Sequence, residues 1–195
     1  MSKTEEIKNC VRRQLPDPQD RARLAELRRG IGHQPGELPA LWGSFLAQMP
    51  QEPQERKENS APSEAEWAVY TALTLFALHQ QSEDTVSMNR EGMRLGMAVR
   101  QLAEATAAGQ DWTESSVLRR FNALATADSM PEVSHYLRGM IQLLRREKIP
   151  LDYPQLAADL YRFQFAESAA DVRLQWGRDL YHIAAEKPET EKKEN

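Results

Sequence analysis

Apolar residues recur at helical spacing along most of this 195-residue chain, and this periodicity limits the possible folds more than any other feature. Leu118, Phe121 and Leu124 show the pattern clearly, as do Val133, Leu137 and others further on. No run of alternating β-branched residues is long enough to form a strand. We therefore predict an all-α fold, a compact helical bundle over residues 1–186, with two packed helical lobes at 1–110 and 111–186 as its expected division.

Capping residues and helix breakers divide the chain into predicted helices. In the first half of the chain we predict one helix from Asp17-Pro18 to Arg29, one over 37–49, one from a capping box at Ser63 and Glu66 through Leu78, and one over 90–108. In the second half we predict helices that begin at Thr113, at Ser129 and at a second capping box formed by Asp152 and Gln155, followed by a last helix that ends near residue 183. Residues 50–62 contain three prolines and predict a mobile loop, and residues 187–195 predict a charged, disordered tail.

Several classes of function lack the residues that they need. Cys10 is the only cysteine, which excludes an intrachain disulfide, and we interpret it as an incidental thiol near a loose terminus. The four histidines, which we expect at or near the surface, lack the spacing of metal ligands (His33, His79, His135 and His182). No phosphate-binding loop, hydrolase elbow or dinucleotide motif is present. We predict no metal, no cofactor and no enzymatic activity.

No segment predicts contact with a membrane. The most apolar stretch, 68–78, is much shorter than the about 20 residues that a membrane-spanning helix requires. The first residues carry acidic side chains and have no apolar core of a secretory signal. We therefore expect a cytoplasmic protein.

Arginines, often paired, occupy the polar faces of the predicted helices between Leu118 and Tyr181. Eleven of the twelve basic residues between positions 67 and 185 are arginine. A guanidinium group stays charged and presents a planar fork of donors that matches phosphate oxygens. This pattern favours binding of a polyanion over catalysis.

The net charge of −4 is unusual for a protein that binds nucleic acid. Residues 51–66 contribute an excess of acids, whereas residues 1–50 hold eight basic and six acidic groups. Because charge is unevenly distributed, a basic surface can exist on an acidic chain. We expect the isolated chain to bind nucleic acid poorly.

Six motifs occur in an order that resembles the CasB family, the small subunit of the type I-E CRISPR surveillance complex called Cascade. They are Glu26-Leu27-Arg28-Arg29-Gly30, Leu95-Gly96 with Val99-Arg100, Leu118-Arg119-Arg120-Phe121 with Leu124, Leu137-Arg138 before Leu143-Leu144-Arg145, Ile149-Pro150-Leu151-Asp152-Tyr153 with Leu156 and Asp159-Leu160, and Val172-Arg173 with Gln175-Trp176-Gly177-Arg178-Asp179-Leu180-Tyr181. The similarity extends from about residue 21 to 183.

The resemblance implies an all-helical, non-catalytic subunit that is present in two copies along the guide RNA. Its implied partners are the backbone and large subunits of Cascade, a second copy of itself, the guide RNA and the target DNA. In that family the basic face holds chiefly the displaced, non-target DNA strand and so stabilises the opened target.

The candidate nucleic-acid-binding residues come from this resemblance and from helical faces. The motifs supply Arg28, Arg29, Arg100, Arg119, Arg120, Arg138, Arg145, Arg173 and Arg178, and the helical faces add Arg146, Lys148 and Arg162. Arg178 beside Asp179 and Arg29 near Glu26 also fit local salt bridges, and we leave that interpretation open. We assign Trp176 and Tyr181 to the core.

A second hypothesis is a protein-bridging scaffold, in which the basic face docks on acidic neighbouring subunits without touching nucleic acid. Charge reversal at Arg119, Arg120 and Arg138 separates the two hypotheses. The first predicts that the subunit stays in the complex while target opening fails, and the second predicts that the subunit is lost.

Overall fold

Helix α4 (Glu64–His79) lies at the centre of the fold, because thirteen of its sixteen residues are buried. The computed structural model describes residues 2–49 and 61–181. The predicted capping box is confirmed: the amide of Glu66 donates to Ser63 Oγ (3.2 Å), and the amide of Ser63 donates to Glu66 Oε2 (2.6 Å). A helix that is apolar on every side needs neighbours all round, and α4 has them.

The described residues form nine α-helices, which confirms the all-α prediction. The other eight are α1 (Lys3–Gln14), α2 (Arg21–Arg29), α3 (Trp42–Phe45), α5 (Leu95–Thr106), α6 (Ser116–Ala125), α7 (Met130–Arg146), α8 (Tyr153–Phe163) and α9 (Ala166–Tyr181). Three short 3₁₀ helices lie at Pro39–Leu41, Leu46–Gln48 and Trp112–Glu114. Residues 50–60 of the predicted loop at 50–62 and the whole predicted tail at 187–195 lie outside the described residues.

Four helices surround α4. Helices α1 and α8 pack against each other and against α4, and α2 and α7 cover its remaining sides. Helix α5 packs on α6 and α9, and α9 also contacts α8. The buried apolar side chains of these helices form one continuous core. The division into two lobes stays a prediction.

Backbone hydrogen bonds tie the α4–α5 connection to the α7–α8 connection. Leu151 donates to Met88 (3.0 Å) and accepts from Arg90 (3.1 Å), and Asp152 donates to Met93 (2.8 Å). Asp152 Oδ2 also accepts from the amide of Gly92 (2.8 Å). These bonds fix where α8 begins relative to α4 and α5.

Several predicted helix boundaries were wrong. The cap of α2 is Asp20, whose side chain accepts from the amide of Arg23 (3.1 Å), and not Asp17. The predicted helix at 37–49 is broken into a four-residue α-helix between two 3₁₀ turns. The helix predicted at 90–108 spans only Leu95–Thr106. The one predicted to open at Thr113 is capped by Ser115.

The start of α8 differs from its prediction in one contact. Asp152 caps the helix as expected, accepting from the amide of Gln155 (2.9 Å). The Gln155 side chain does not return to the cap, however, and donates to Asp159 Oδ1 (2.7 Å). The return hydrogen bond of the predicted capping box, from the Gln155 side chain to the backbone of Asp152, is therefore absent, because the side-chain amide of Gln155 binds the buried Asp159 carboxylate instead.

The interpretation of Cys10 as a thiol near a loose terminus was wrong. Cys10 is fully buried in α1, together with Ile7 and Val11. Ser2 caps this helix by accepting from the amide of Glu5 (3.4 Å). Burial raises the pKa of the Cys10 thiol.

None of the helices in the described part of the chain is long and apolar enough to span a membrane.

Candidate nucleic-acid interface

Three candidate arginines border the surface of α4 between α2 and α7, which we call the α4 groove. From α2, Arg28 Nη1 donates to the carbonyl of Ala77 (3.3 Å). From α7, Arg145 Nη1 donates to Gln81 Oε1 (2.6 Å), just beyond the end of α4. Arg138, seven residues before Arg145 on α7, lines a cleft that Thr74 of α4 also lines. Residues three or four apart share a helix face, so these contacts all fall on one side of α4.

The groove ends at the loop after α4, where charges of both signs meet. Lys148 Nζ lies 3.2 Å from Glu83 Oε2, and Arg21 pairs with Asp84. Arg21 was not predicted as a candidate, although it lies seven residues before Arg28 and so on the same face of α2. A hydrogen bond from Thr85 and the nearby Lys148 hold the pKa of Glu83 below its usual value. These acids offset part of the local positive charge.

A second group of candidates lies around α5, α6 and α9, where protein groups hold the guanidinium groups. Arg100 binds Glu104 and stacks on the Trp112 ring at 3.9 Å. Arg173 Nε donates to the carbonyl of Ala125 (2.6 Å). Arg119 donates to the carbonyl of Glu114 (3.1 Å), and Arg162 lies 3.6 Å from Asp171. These contacts compete with any phosphate for the same donors.

Five candidates are exposed and have no hydrogen bond, ion pair or ring contact with the described residues: Arg29, Arg120, Arg138, Arg146 and Arg178. The two alternative local salt bridges do not form here. Asp179 pairs with Arg94 (3.1 Å), and Glu26 accepts from Ser44 Oγ (3.0 Å). No described protein group competes with an external anion for these five guanidinium groups.

Two buried titratable residues, Asp159 and His79, lie in the core and do not line this surface. Asp159 Oδ2 accepts from Trp176 Nε1 (2.9 Å), and burial raises the pKa of the Asp159 carboxyl. His79 is fully buried with its Nδ1 2.9 Å from Tyr153 Oη, so the prediction of a surface or half-buried histidine was wrong. Within 2–49 and 61–181, no three His, Cys, Asp or Glu side chains cluster in a way that could hold a metal ion.

The two aromatic residues assigned to the core have different positions. Trp176 is fully buried, stacked on the Phe163 ring at 5.5 Å, as predicted. Tyr181 was wrongly assigned to the core, because it is 59% exposed, with its ring centroid 5.5 Å from that of Trp112. Tyr181 shares an open apolar patch on α9 with Leu174, which is 53% exposed.

Comparisons with known proteins identify the fold. The sequence profile of the family described as CRISPR-associated protein Cse2 matches residues 23–181. CasB from Thermobifida fusca is 33% identical, with a TM-score of 0.69 over 92% of this chain and 98% of that one. A CRISPR-associated protein of the Cse2 family from Thermus thermophilus is 26% identical, with a TM-score of 0.64 over 93% and 99%.

A further solved structure, described as CasB from Thermus thermophilus, is 27% identical, with a TM-score of 0.62 over 93% of this chain and 99% of its own. No curated protein matches the sequence significantly. The family profile covers far more than half of the chain, and the similar structures are matched over nearly their whole length. The chain therefore belongs to the Cse2 (CasB) family of CRISPR-associated proteins.

Proposed function

We propose that this protein is a non-catalytic subunit of a type I-E CRISPR surveillance complex and that its basic surface binds the displaced strand of the opened target DNA. Family membership supports a role in such a complex. The observation that carries the nucleic-acid role is the set of five exposed arginines without described protein partners, among them Arg29 and Arg138. The proposed partners are the backbone and large subunits, a second copy of the chain, the guide RNA and the target DNA.

The energetics of target opening make such contacts effective. Opening exchanges a DNA duplex for an RNA–DNA hybrid of similar stability, so small additional contacts decide the balance. Phosphate contacts hold a strand without reading its sequence. Exposed guanidinium groups on this subunit therefore favour the open state for any target that the guide RNA selects.

We propose a non-catalytic role because the side chains with strongly shifted pKa values lie in the core and not on the surface. Burial shifts the pKa values of His79, Tyr153 and Asp159, and all three side chains face the core. A general acid or base must reach its substrate within hydrogen-bonding distance. These groups are bonded to other core residues instead.

The test is neutralisation of three unpartnered arginines in the assembled complex. We expect the triple variant Arg29→Gln, Arg138→Gln and Arg146→Gln to remain in the complex but to reduce target opening about tenfold or more, since hydrogen bonds to charged groups contribute about 1.5–3 kcal/mol each. Permanganate reactivity of thymines in the displaced strand measures opening. Arg90→Gln, an exposed arginine outside the candidate set, is the matched control. Unchanged opening would reject the proposal.

One observation favours a second function, that of a protein-bridging scaffold. The exposed Leu174 and Tyr181 form an apolar patch beside Arg173 and Arg178, and such patches often mark protein contacts. If this role alone operates, charge reversal at Arg119, Arg120 and Arg138 removes the subunit from the complex. Under the nucleic-acid role the subunit stays and only target opening falls.

A further inference from the structure

A cleft of about 310 Å³ lies in the α4 groove, between the loop after α2 and the first turns of α7. Its volume is at the lower end of the range for small-ligand sites in proteins. The side chains that define its chemistry are Trp67, Tyr70, His33, His135, Glu37 and Arg138. Among the twelve candidate residues, only Arg138 lines it.

The wall formed by the loop after α2 is held in place by hydrogen bonds. Tyr70 Oη donates to the carbonyl of Gly30 (2.9 Å). A Cβ atom at Gly30 would lie 2.6 Å from that same Tyr70 oxygen, so the close approach depends on glycine. The Glu37 carboxylate accepts from the amide of Gln34 (2.9 Å) and lies 2.7 Å from His33 Nδ1. The cleft is therefore formed before any ligand arrives.

The opposite wall lies where α4 and α7 pack together through their buried apolar side chains. Thr71 of α4 and Ser134 of α7 add a long hydrogen bond of 3.3 Å across this contact. Arg138 and His135 project from the next positions of α7, and both are exposed. When a ligand binds to a preformed site, ordering of the side chains costs little free energy.

The lining combines one unpartnered cation with aromatic rings. Arg138 has no bonding partner among the described residues, and its guanidinium fork matches a phosphate group. Trp67 and His135 also line the cleft, and aromatic rings of this kind can stack with unpaired bases. The one carboxylate, Glu37, already binds within its own loop. This chemistry suits a base together with its phosphate.

We propose that this cleft binds a single unpaired nucleotide, with the phosphate on Arg138 and the base against Trp67. The inference rests on the proposed function in that a displaced strand supplies such nucleotides. It goes beyond that function because it assigns one nucleotide of the displaced strand to a discrete subsite. The base of that nucleotide no longer stacks on its neighbours in the strand. The remaining exposed arginines contact only phosphates.

The first experiment measures small probes on the full chain. Thymidine 5′-monophosphate is expected to bind at least about tenfold more tightly than thymidine or inorganic phosphate, because only the monophosphate fills both parts of the cleft. Arg138→Gln should weaken its binding about tenfold. The matched control Arg90→Gln, at an exposed arginine outside the candidate set, should leave it unchanged. Equal affinity for monophosphate and phosphate would overturn the proposal.

Substitutions at Trp67 test the base-binding wall. Trp67→Phe keeps a ring and should retain most of the affinity, whereas Trp67→Leu should lose about tenfold. If Trp67→Leu does not fold, Arg138→Gln still decides the outcome, because Arg138 is exposed and outside the core. Equal binding by the Phe and Leu variants would exclude stacking on Trp67.

The second experiment separates this inference from the proposed function. In the assembled complex with an opened target, 5-iodouracil placed along the displaced strand should crosslink to Trp67 or His135, and the same base in the guide RNA should not. Crosslinks confined to other residues would overturn the cleft while keeping strand binding. Monophosphate binding at the cleft without any strand crosslink would reject the proposed function and keep a nucleotide site. Crosslinks from the guide RNA alone would make the RNA the ligand.

Discussion

Arg100 shows how a basic residue on a polar helix face becomes part of the fold. Its guanidinium binds Glu104 one turn later, stacks on Trp112 at 3.9 Å and reaches the carbonyl of Leu180 at 3.5 Å. Ion pairs at exposed positions contribute little, but a stacked and partly buried guanidinium also contributes packing. Arg120 is exposed and has none of these contacts with the described residues. The two residues look alike in sequence and have different contacts in the structure.

His79 makes the stability of the fold sensitive to acid. Burial lowers the pKa of His79 from 6.5 to about 4, the charge of Arg145 adds to the lowering, and the backbone of Ile149 opposes it. The folded state therefore keeps His79 neutral while the unfolded chain takes up a proton below pH 6.5. The free energy of unfolding should fall by about 3 kcal/mol from this residue as the pH decreases from 6.5 to 4, and be unaffected above that window.

Urea unfolding of the wild type and of His79→Gln at several pH values checks this prediction. The variant should be less stable near neutral pH but should lose less stability on acidification. The carboxyl groups titrate in both proteins, so they contribute equally to both slopes of unfolding free energy against pH. The difference between the two slopes therefore gives the contribution of His79. Parallel slopes would show that His79 is protonated in the folded state as readily as in the unfolded one.

At the scale of helices, the contact between α5 and α9 depends on one small residue. A Cβ atom at Gly96 would collide with the carbonyl oxygen of Trp176 and lie 2.9 Å from the amide nitrogen of Leu180. Both are backbone atoms, which cannot move aside as a flexible side chain can. Gly96→Ala should therefore push the helices apart and destabilise the fold by about 1–3 kcal/mol, as overpacked cores usually do.

Gly139→Ala in α7 is the matched control, since a Cβ atom there meets nothing within 4 Å. Alanine in an open helical position should stabilise the protein by about 0.5–1 kcal/mol relative to glycine. The two substitutions add the same methyl group and are expected to change stability in opposite directions. Denaturant midpoints measure both, and destabilisation by both variants to the same extent would contradict the packing argument.

Helix prediction succeeded where local signals were strong and failed where they were weak or interrupted. Ser63 and Glu66 satisfy each other's backbone amides locally, so the start of α4 could be read from four residues. Helix α1 was not predicted, although Ile7, Cys10 and Val11 have the spacing of one apolar helix face. The segment was interpreted as a loose terminus because it lies at the start of the chain. The 37–49 segment has apolar residues at helical spacing, yet most of it forms two short 3₁₀ helices around a four-residue α-helix. Trp42 in this segment is 48% exposed.

The arginines that bind protein could not be separated from the free ones by sequence. Arg28, Arg173 and Arg100 each donate to a backbone carbonyl from a distant part of the chain. Every residue has a carbonyl, so no residue type marks these acceptors, and only tertiary packing decides which arginine reaches one. The cleft beside Arg138 was missed for the same reason, because Trp67, His33 and His135 meet only in the folded chain.

At the scale of the whole molecule, the chain carries a net charge of −4, although Arg28, Arg138 and Arg145 border the α4 groove. Glu83 and Asp84 pair with Lys148 and Arg21, so these acids offset part of the positive charge at the end of the groove, and salt screens the remainder over roughly 10 Å. We therefore expect the isolated chain to attract DNA only weakly at long range. In the proposed function, contacts at the unpartnered arginines act at short range, once the assembled complex has brought the strand close.

This distinction predicts how salt affects strand binding by the assembled complex. Each phosphate contact to a single strand contributes about 0.7 to the slope of log affinity against log salt concentration. The double variant Arg138→Gln and Arg146→Gln should therefore lower the magnitude of that slope by about 1.4. The pair Arg23→Gln and Arg90→Gln removes the same charge outside the candidate set. If net charge governed binding, both pairs would change the slope equally, whereas direct contact requires that only the α7 pair does so.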